Sequence, residues 1–184
     1  MEADWEVEIG GGAPVIEAEG PGWIDLRKQP ERVSEIAEAA GFAALGKLLT
    51  ALNGPESPWW TSKCDLWQEE TGELACYVDL LPVDGRVFGE WQQAESVCRA
   101  YVARLAGAGL PEHGASADDA EVSVDLVIRA AVAREVEGFG ITAYLSSGSS
   151  GQADAAAALS AAMDAFADAL APVVSPAEGG SKLQ

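Results

Sequence analysis

Apolar residues recur at spacings of three and four positions along three stretches of the chain. The stretches are residues 30–52, 87–105 and 153–171. This spacing gathers apolar side chains on one side of a helix, as in a helix that packs against a core. Pro30 suits the first position of the first helix, and Pro172 follows the end of the third. The pattern therefore predicts three amphipathic helices.

Short apolar runs, which are typical of β-strands, precede each of these helices. The runs directly before the helices are Trp23–Leu26, Tyr77–Leu80 and Ile141–Leu145. Further strand candidates lie ahead of them at Trp5–Ile9 or Val15–Glu19, at Trp59–Gln68 and at Val122–Val132. The chain thus divides into strand, strand and helix three times over, which indicates an internal repeat. The alternative is that similar spacings arose by chance in an ordinary domain.

The predicted fold class is α+β. Because such units cannot bury a helix alone, we expect one mostly antiparallel sheet of about six strands with three helices on one face. The order of elements from Trp23 to about Val132 is strand, helix, strand, strand, helix, strand, which has the topology of ferredoxin-like folds. Topology alone does not carry function. We expect a single domain over residues 1–174 and a flexible, small and polar tail over residues 175–184.

The dipeptide Asp-Leu occurs four times, each time inside a strand candidate. The four copies are Asp25-Leu26, Asp65-Leu66, Asp79-Leu80 and Asp125-Leu126. Side chains alternate across a strand, so the two residues of each copy face opposite ways. If the leucines lie under the helices, all four aspartates lie on the other, open face of the sheet.

The central hairpin has a predictable register, because Glu70-Thr71-Gly72 fits a three-residue loop with glycine in the left-handed position. The expected cross-strand pairs are Cys64 with Val78, Leu66 with Cys76, Trp67 with Ala75, Asp65 with Tyr77, and Lys63 with Asp79. The first two pairs face the helices, and the others lie on the open face. An opposite-charge pair such as the last contributes roughly 0.2 to 1 kcal/mol.

The open face is the predicted binding surface, because aromatic rings beside convergent polar groups are typical of binding sites. Its predicted site residues are Asp25, Asp65, Asp79, Asp125, Lys63, Trp67, Tyr77, Arg129 and Tyr144. The same alternation adds Trp23, Arg27, Trp59, Thr61, Ser123 and Thr142. The alternative is a solvated sheet face, although Asp is depleted in strands. No carboxylate spacing resembles a known Mg²⁺ or Ca²⁺ loop, so we predict no metal and no cofactor.

Two prolines stiffen the loop that leads into Trp59 and Trp60. This loop is a possible recognition loop, but a rigid connection with an aromatic lid on the core is the favoured interpretation. His113 is the only histidine and lies in a Gly- and Ala-rich connection. This position indicates a solvated surface histidine rather than a catalytic one. The serine- and glycine-rich run 146–151 precedes a helix but lacks the lysine of a phosphate-binding loop. No catalytic residue is predicted.

The charge of the chain excludes several classes of ligand. The 184 residues include 30 Asp and Glu against 11 Lys and Arg, a formal charge of −19, while 48% of the chain is hydrophobic. The small number of basic residues disfavours binding to nucleic acids and to anionic membranes. The high hydrophobic content disfavours a disordered chain. The three cysteines, Cys64, Cys76 and Cys98, have no zinc or redox spacing, which predicts buried thiols. With no signal peptide or membrane span, we expect a cytoplasmic location.

Three functions remain after these exclusions. The favoured one is a non-catalytic protein-interaction module that binds a basic partner, as an inhibitor, an immunity-type protein or a nucleic-acid mimic would. The second is a small-molecule-binding protein or an enzyme that uses the carboxylates and aromatic rings of the open face. The third is a structural domain that forms a homodimer by stacking two open faces.

Overall fold

A computed structural model of the protein describes residues 15–83, 87–107, 122–148 and 152–171. In these ranges the strands are β1 (Ile16–Glu17), β2 (Trp59–Gln68), β3 (Leu74–Pro82), β4 (Val122–Ala133) and β5 (Val136–Ser147). The α-helices are α1 (Ala37–Gly41), α2 (Ala43–Leu52), α3 (Trp91–Gly107) and α4 (Gln152–Leu170), and a 3-10 helix spans Pro30–Glu35. The fold class is α+β, as predicted.

The strands form a single mixed sheet in the order β1-β4-β5-β3-β2. The β1 strand pairs with β4 in parallel, and the other three pairings are antiparallel. Helices α2, α3 and α4 pack on one face of the sheet and form the main core with its apolar side chains. The middle helix-facing row, Val78, Ala143 and Leu126, shows how the strands contribute to this core.

The predicted order of strand, strand and helix occurs twice in the described residues, but the threefold repeat is not confirmed. Hairpin β2–β3 with α3, and hairpin β4–β5 with α4, share one order of elements, and their second strands β3 and β5 pair at the centre. The first unit is not complete, because the predicted strand Trp23–Leu26 is irregular backbone that leads into a turn at Leu26. Of the two other strand candidates for that unit, Val15–Glu19 contains the short β1, whereas Trp5–Ile9 lies outside the described residues, as does the predicted tail. Six strands and a ferredoxin-like arrangement are therefore not confirmed.

The first predicted helix is divided into three short segments. The backbone is extended at Ile36 (ψ 115°) and at Phe42 (φ −139°, ψ 97°), which separates the 3-10 helix, α1 and α2. Both side chains are half-buried against the main core. Packing of these two residues overrides the regular helical spacing of the sequence.

An irregularity in β2 reverses the direction of its first side chains. From Cys64 onward the register of the hairpin is the predicted one, but it shifts between Thr61 and Cys64. Thr61 consequently pairs with Leu80 and faces the helices, where Asn53 Nδ2 donates a 2.7 Å hydrogen bond to its hydroxyl. The prediction that Trp59 and Thr61 lie on the open face is wrong, because such a bulge changes the side-chain alternation.

The sheet curls so that its two edges approach each other at one end. Strand β1 pairs with β4, and the carbonyl of its Glu17 also accepts a 3.1 Å hydrogen bond from Ser62 Oγ of β2. A second core fills the face opposite the helices at this end: Ile16, Trp60, Leu81, Val87, Ala131 and Ala133. Gly140 permits the close approach, because a Cβ there would lie 2.7 Å from Leu81 Cδ2 and 2.9 Å from Ile16 Cδ1.

Candidate functional site

The second core covers only part of the sheet face opposite the helices. The uncovered part lies toward the β2–β3 turn and carries a row of four side chains across four strands. From here on, the open face means this uncovered part. The row runs Asp65 (β2), Tyr77 (β3), Tyr144 (β5) and Asp125 (β4), each directly opposite the next. The two tyrosine rings are 5.9 Å apart between centroids, and Trp67 lies 6.4 Å from the Tyr77 ring. These separations are typical of packed aromatic pairs.

Arg129 contacts Tyr144, one of the two inner members of this row. Its Nη2 donates a 2.9 Å hydrogen bond to the hydroxyl of Tyr144, and its guanidinium carbon lies 5.9 Å from the centre of the same ring. The half-buried cation is thereby fixed on the aromatic row. Arg129 and Tyr144, both predicted site residues, are in direct contact.

Asp79 is a buried carboxylate on the same surface, with 6% of its area exposed. The Thr142 hydroxyl donates a 2.7 Å hydrogen bond to its Oδ1. Burial raises the pKa of Asp79, and the hydrogen bond from Thr142 and the charges of Lys63 and Arg129 only partly oppose this. Burial also raises the pKa of Tyr77, with the negative charges of Asp79 and Asp65 adding to the effect. The Tyr77 hydroxyl therefore remains a neutral hydrogen-bond donor.

A groove of about 670 Å³ opens between the β2–β3 turn and the adjoining ends of β3, β4 and β5. We call it the acidic groove. Its described lining residues include the acids Glu69, Glu70, Glu73 and Asp125 and the aromatic residues Trp67 and Tyr144, with no lysine or arginine among them. Trp67 Nε1 donates a 2.5 Å hydrogen bond to Glu69 Oε1, which ties the ring to the acidic turn.

The chemistry of the acidic groove favours a cation. Four carboxylates concentrate negative potential in one concave region. The faces of aromatic rings carry partial negative charge, and they attract ammonium and guanidinium groups within about 6 Å. The groove can therefore hold a lysine or arginine side chain by charge, hydrogen bonds and ring contacts together.

Asp25 does not belong to the open face. Its Oδ1 accepts a 3.2 Å hydrogen bond from the Arg27 amide, and its Oδ2 lies 2.8 Å from Lys28 Nζ. Burial raises the pKa of Asp25, but the hydrogen bond and charge of Lys28 outweigh it, and the pKa is lowered. The segment that contains Asp25 is not a strand. The contacts of Asp25 with Arg27 and Lys28 instead stabilise a turn.

The two tryptophans of the predicted recognition loop are both buried, at 2% exposure for Trp59 and 3% for Trp60. Trp59 packs in the main core against Phe88 and Tyr101, and Trp60 packs in the second core against Trp23. Neither offers an exposed ring to a partner. The arrangement agrees with the interpretation favoured from the sequence, an aromatic lid on the core.

The remaining predicted site residues occupy mixed positions. Asp65 is exposed on the open face, where its Oδ1 accepts a 2.8 Å hydrogen bond from the Leu66 amide. Lys63 is exposed but lies in the irregular stretch of β2, so it has no direct partner on β3. The predicted cross-strand pair with Asp79 is therefore wrong, although the Lys63 charge still lowers the pKa of that carboxyl.

Sequence reasoning missed the three glutamates of the groove. Glu69, Glu70 and Glu73 surround the β2–β3 turn, directly after Trp67. The signal in the sequence is an acidic turn that directly follows Trp67, a tryptophan on the open face. Such a turn and the adjoining sheet face form one concave surface. The hydroxyl pair Ser123–Ser146, 2.7 Å apart, lies beside them.

The described ranges give little support for a reactive thiol or a metal site. Burial raises the pKa of each cysteine, Cys64, Cys76 and Cys98, to about 12, so the thiols are neutral at physiological pH. Within the described residues, no three Asp, Glu, His or Cys side chains converge as metal ligands. His113, and residues 149–151 of the serine-rich run, lie outside those residues.

In the four described ranges, no helix has both the length and the apolar character needed to cross a membrane. Comparisons with protein-family models, with curated proteins and with solved structures found no match to this chain.

Proposed function

We propose that this protein is a non-catalytic interaction domain that binds a basic segment of a partner protein in the acidic groove. The observation that carries the proposal is the groove itself: four acidic and two aromatic residues line one concave surface, and the part of the chain that the structure describes adds no lysine or arginine to that lining. An inhibitor, an immunity-type protein or a nucleic-acid mimic would use such a surface.

The net charge of the chain supports the same partner. A formal charge of −19 attracts a basic protein from a distance and speeds its association, while the groove supplies the short-range contacts. Since exposed charges are screened within about 8 to 10 Å at physiological ionic strength, the affinity should fall as salt is added.

The experiment compares two triple variants of equal charge. In the groove variant, Glu69→Gln, Glu73→Gln and Asp125→Asn remove three charges from the acidic groove. In the control variant, Glu56→Gln, Glu137→Gln and Asp164→Asn remove three exposed charges elsewhere. The probe is a fluorescent peptide of six Arg-Ser repeats, and its dissociation constant is measured by anisotropy.

We expect the groove variant to lose roughly tenfold or more in affinity, since hydrogen bonds to charged groups contribute about 1.5 to 3 kcal/mol each. The control variant should stay within about threefold of the wild type, because its charges act only through a screened solution. Equal losses in both variants would mean that net charge alone attracts the peptide, and would reject the groove as a site.

The buried Asp79 favours a second candidate function, a small-molecule-binding protein or enzyme that uses the open face. Groups with shifted pKa values collect at functional sites, and Asp79 adjoins Tyr77 and Arg129 in this surface. The variant Asp79→Asn separates the two candidates, because Asp79 does not line the acidic groove. A small-molecule ligand of Asp79 would lose affinity in this variant, and the Arg-Ser peptide would not.

Stacking of two open faces in a homodimer is the third candidate. It would bring two acidic grooves together, and like charges oppose this contact. The rings of Trp67, Tyr77 and Tyr144 are already half-buried within one copy, which leaves little apolar area to gain. Sedimentation velocity of the full chain tests this candidate, and a strict monomer removes it.

A further inference from the structure

A second cavity lies on the outer edge of β2, beneath residues 18–29, which connect β1 to the 3-10 helix. We call residues 18–29 the strap. At its start, the carbonyl of Glu17 accepts the hydrogen bond from Ser62. Near its end, Arg27 Nη1 donates hydrogen bonds to the carbonyls of Ser57 and Trp59, at 3.0 and 2.9 Å. The strap is thus tied to the loop and strand below it at both ends.

Between these ties the strap contains Gly20-Pro21-Gly22. Gly22 has φ of +82°, a conformation that favours glycine, and a Cβ at either glycine would meet nothing within 4 Å. The underlying strand is irregular between Thr61 and Cys64. A loosely packed strap above an irregular strand leaves an unfilled space, and its volume is about 250 Å³.

The walls of this cavity are largely apolar. The side chains of Trp23, Ile24, Leu26, Ile36 and Leu49 contribute to its lining. Trp23, Ile24 and Ile36 are only half-buried. An apolar body of matching size would remove this surface from water, which is the main source of affinity in small-molecule sites.

The polar groups of the cavity are mainly donors. Lys63 is the one cation among the described residues that line it, and Tyr77, whose hydroxyl is neutral, also belongs to the lining. Trp23 Nε1 is buried and has no hydrogen-bond partner among the described residues, although buried polar groups ordinarily have one. Glu17 is the only acid that the described ranges contribute to the lining, and it is exposed. Donors of this kind suit a ligand with acceptor oxygens.

We propose that this cavity binds a small amphipathic carboxylate, with its apolar body against Trp23, Ile36 and Leu49 and its carboxylate on Lys63 Nζ. This site is separate from the acidic groove, and it does not depend on the proposed function. The negative charge of the whole chain and the nearer carboxylates of Asp65 and Asp79, whose charges act on Tyr77, oppose an anion here, so its affinity depends on direct contact with the Lys63 ammonium.

The test uses straight-chain alkanoates as probes of the full protein. Hexanoate, heptanoate and octanoate are titrated below their micelle concentrations, and the indole N–H signal of Trp23 is followed by ¹H–¹⁵N NMR. Each added methylene should raise the affinity about fourfold while the cavity has room for it. Octylammonium, with the same chain and the opposite charge, should bind at least about tenfold more weakly than octanoate.

The variant Lys63→Met keeps the length of the side chain and removes its charge, and Lys63 is exposed, so the fold should persist. We expect octanoate to lose roughly tenfold or more in affinity. Lys47→Met, an exposed lysine on α2, is the matched control and should leave the affinity unchanged. Equal binding of octanoate and octylammonium, an unchanged affinity in Lys63→Met, or no shift of the Trp23 signal would each overturn the proposal.

Discussion

Tyr77 and Tyr144 lie directly opposite each other on the two paired strands β3 and β5, with ring centroids 5.9 Å apart. Each belongs to a different strand-strand-helix unit, and each faces an aspartate of its own hairpin, Asp65 or Asp125. The junction between the two units is therefore also the centre of the open face. A substitution here changes both the stability of the sheet and the candidate binding surface.

The contact between Arg129 and Tyr144 should be measurable as a coupling energy. In a double-mutant cycle, Arg129→Met and Tyr144→Phe each remove one partner of the 2.9 Å hydrogen bond. We expect a coupling of about 1 kcal/mol in the free energy of unfolding, determined by urea denaturation. Additive effects would show that the guanidinium does not stabilise the tyrosine in solution.

Asp79 should make the stability of the protein depend on pH in a defined direction. Because burial raises its pKa above the unfolded value, the folded state binds its proton more tightly than the unfolded state. The resulting stabilisation is fully present below the unfolded pKa and is lost as pH rises through the folded pKa. At pH values above both the unfolded and the folded pKa, the buried charge of Asp79 therefore disfavours the folded state.

We expect Asp79→Asn to be more stable than the wild type at pH 7, because the amide oxygen still accepts the hydrogen bond of Thr142 without a charge. The difference should shrink as pH is lowered toward the unfolded pKa of about 3.9. Urea denaturation of both proteins at pH 7 and pH 5 measures it. A variant that is clearly less stable at pH 7 would indicate that Lys63 and Arg129 compensate the buried charge.

Arg27 should be the most important cation for the stability of the loop before β2. Its guanidinium donates hydrogen bonds to the carbonyls of Pro55, Ser57 and Trp59. Arg27→Met leaves these acceptors without their donor and should lower the free energy of unfolding by about 2 to 3 kcal/mol. The neighbouring Lys28→Met is the control. Its side chain is 71% exposed, and its loss should change the stability by at most about 1 kcal/mol. Similar losses in both variants would contradict this assignment.

The turn between β4 and β5 holds two residues in an unfavourable backbone conformation. Arg134 and Glu135 have φ of 50° and 65°, where non-glycine residues are strained. Glu135→Gly should therefore stabilise the protein by about 1 kcal/mol. Glu137→Gly, two residues later in extended β5, should instead destabilise it by up to about 1 kcal/mol. If both variants lose stability in urea denaturation, the turn stores no strain that glycine relieves.

Local sequence predicted the central hairpin well and the first fifty residues poorly. The acidic three-residue turn correctly aligns Leu66 with Cys76 and Asp65 with Tyr77, because turn length and side-chain alternation together define the register. The shift between Thr61 and Cys64 has no glycine or proline to indicate it. The shift occurs where β2 contacts other elements, through the hydrogen bond from Asn53 to Thr61 and the approach of β1.

The candidate site was predictable only in part for the same reason. The aspartates of β2, β3 and β4 lie on the predicted surface because their strands exist, whereas Asp25 does not because its segment forms a turn. The curl of the sheet, which fills half of that surface with a second core, depends on the close approach of Ile16 to Gly140. Such tertiary contacts leave no periodic signal in the sequence.

Chemical-shift mapping tests the central claim, that the acidic groove binds a basic segment, most directly. The Arg-Ser peptide is titrated into ¹⁵N-labelled protein, and the backbone and indole N–H signals are followed. If the peptide binds in the acidic groove, the largest chemical-shift changes should occur at the Trp67 indole and at residues 69–73. The buried indoles of Trp59 and Trp60 should change little. Shifts concentrated on the exposed acids of α4, Asp164 and Asp168, with the Trp67 indole unchanged, would contradict binding in the groove.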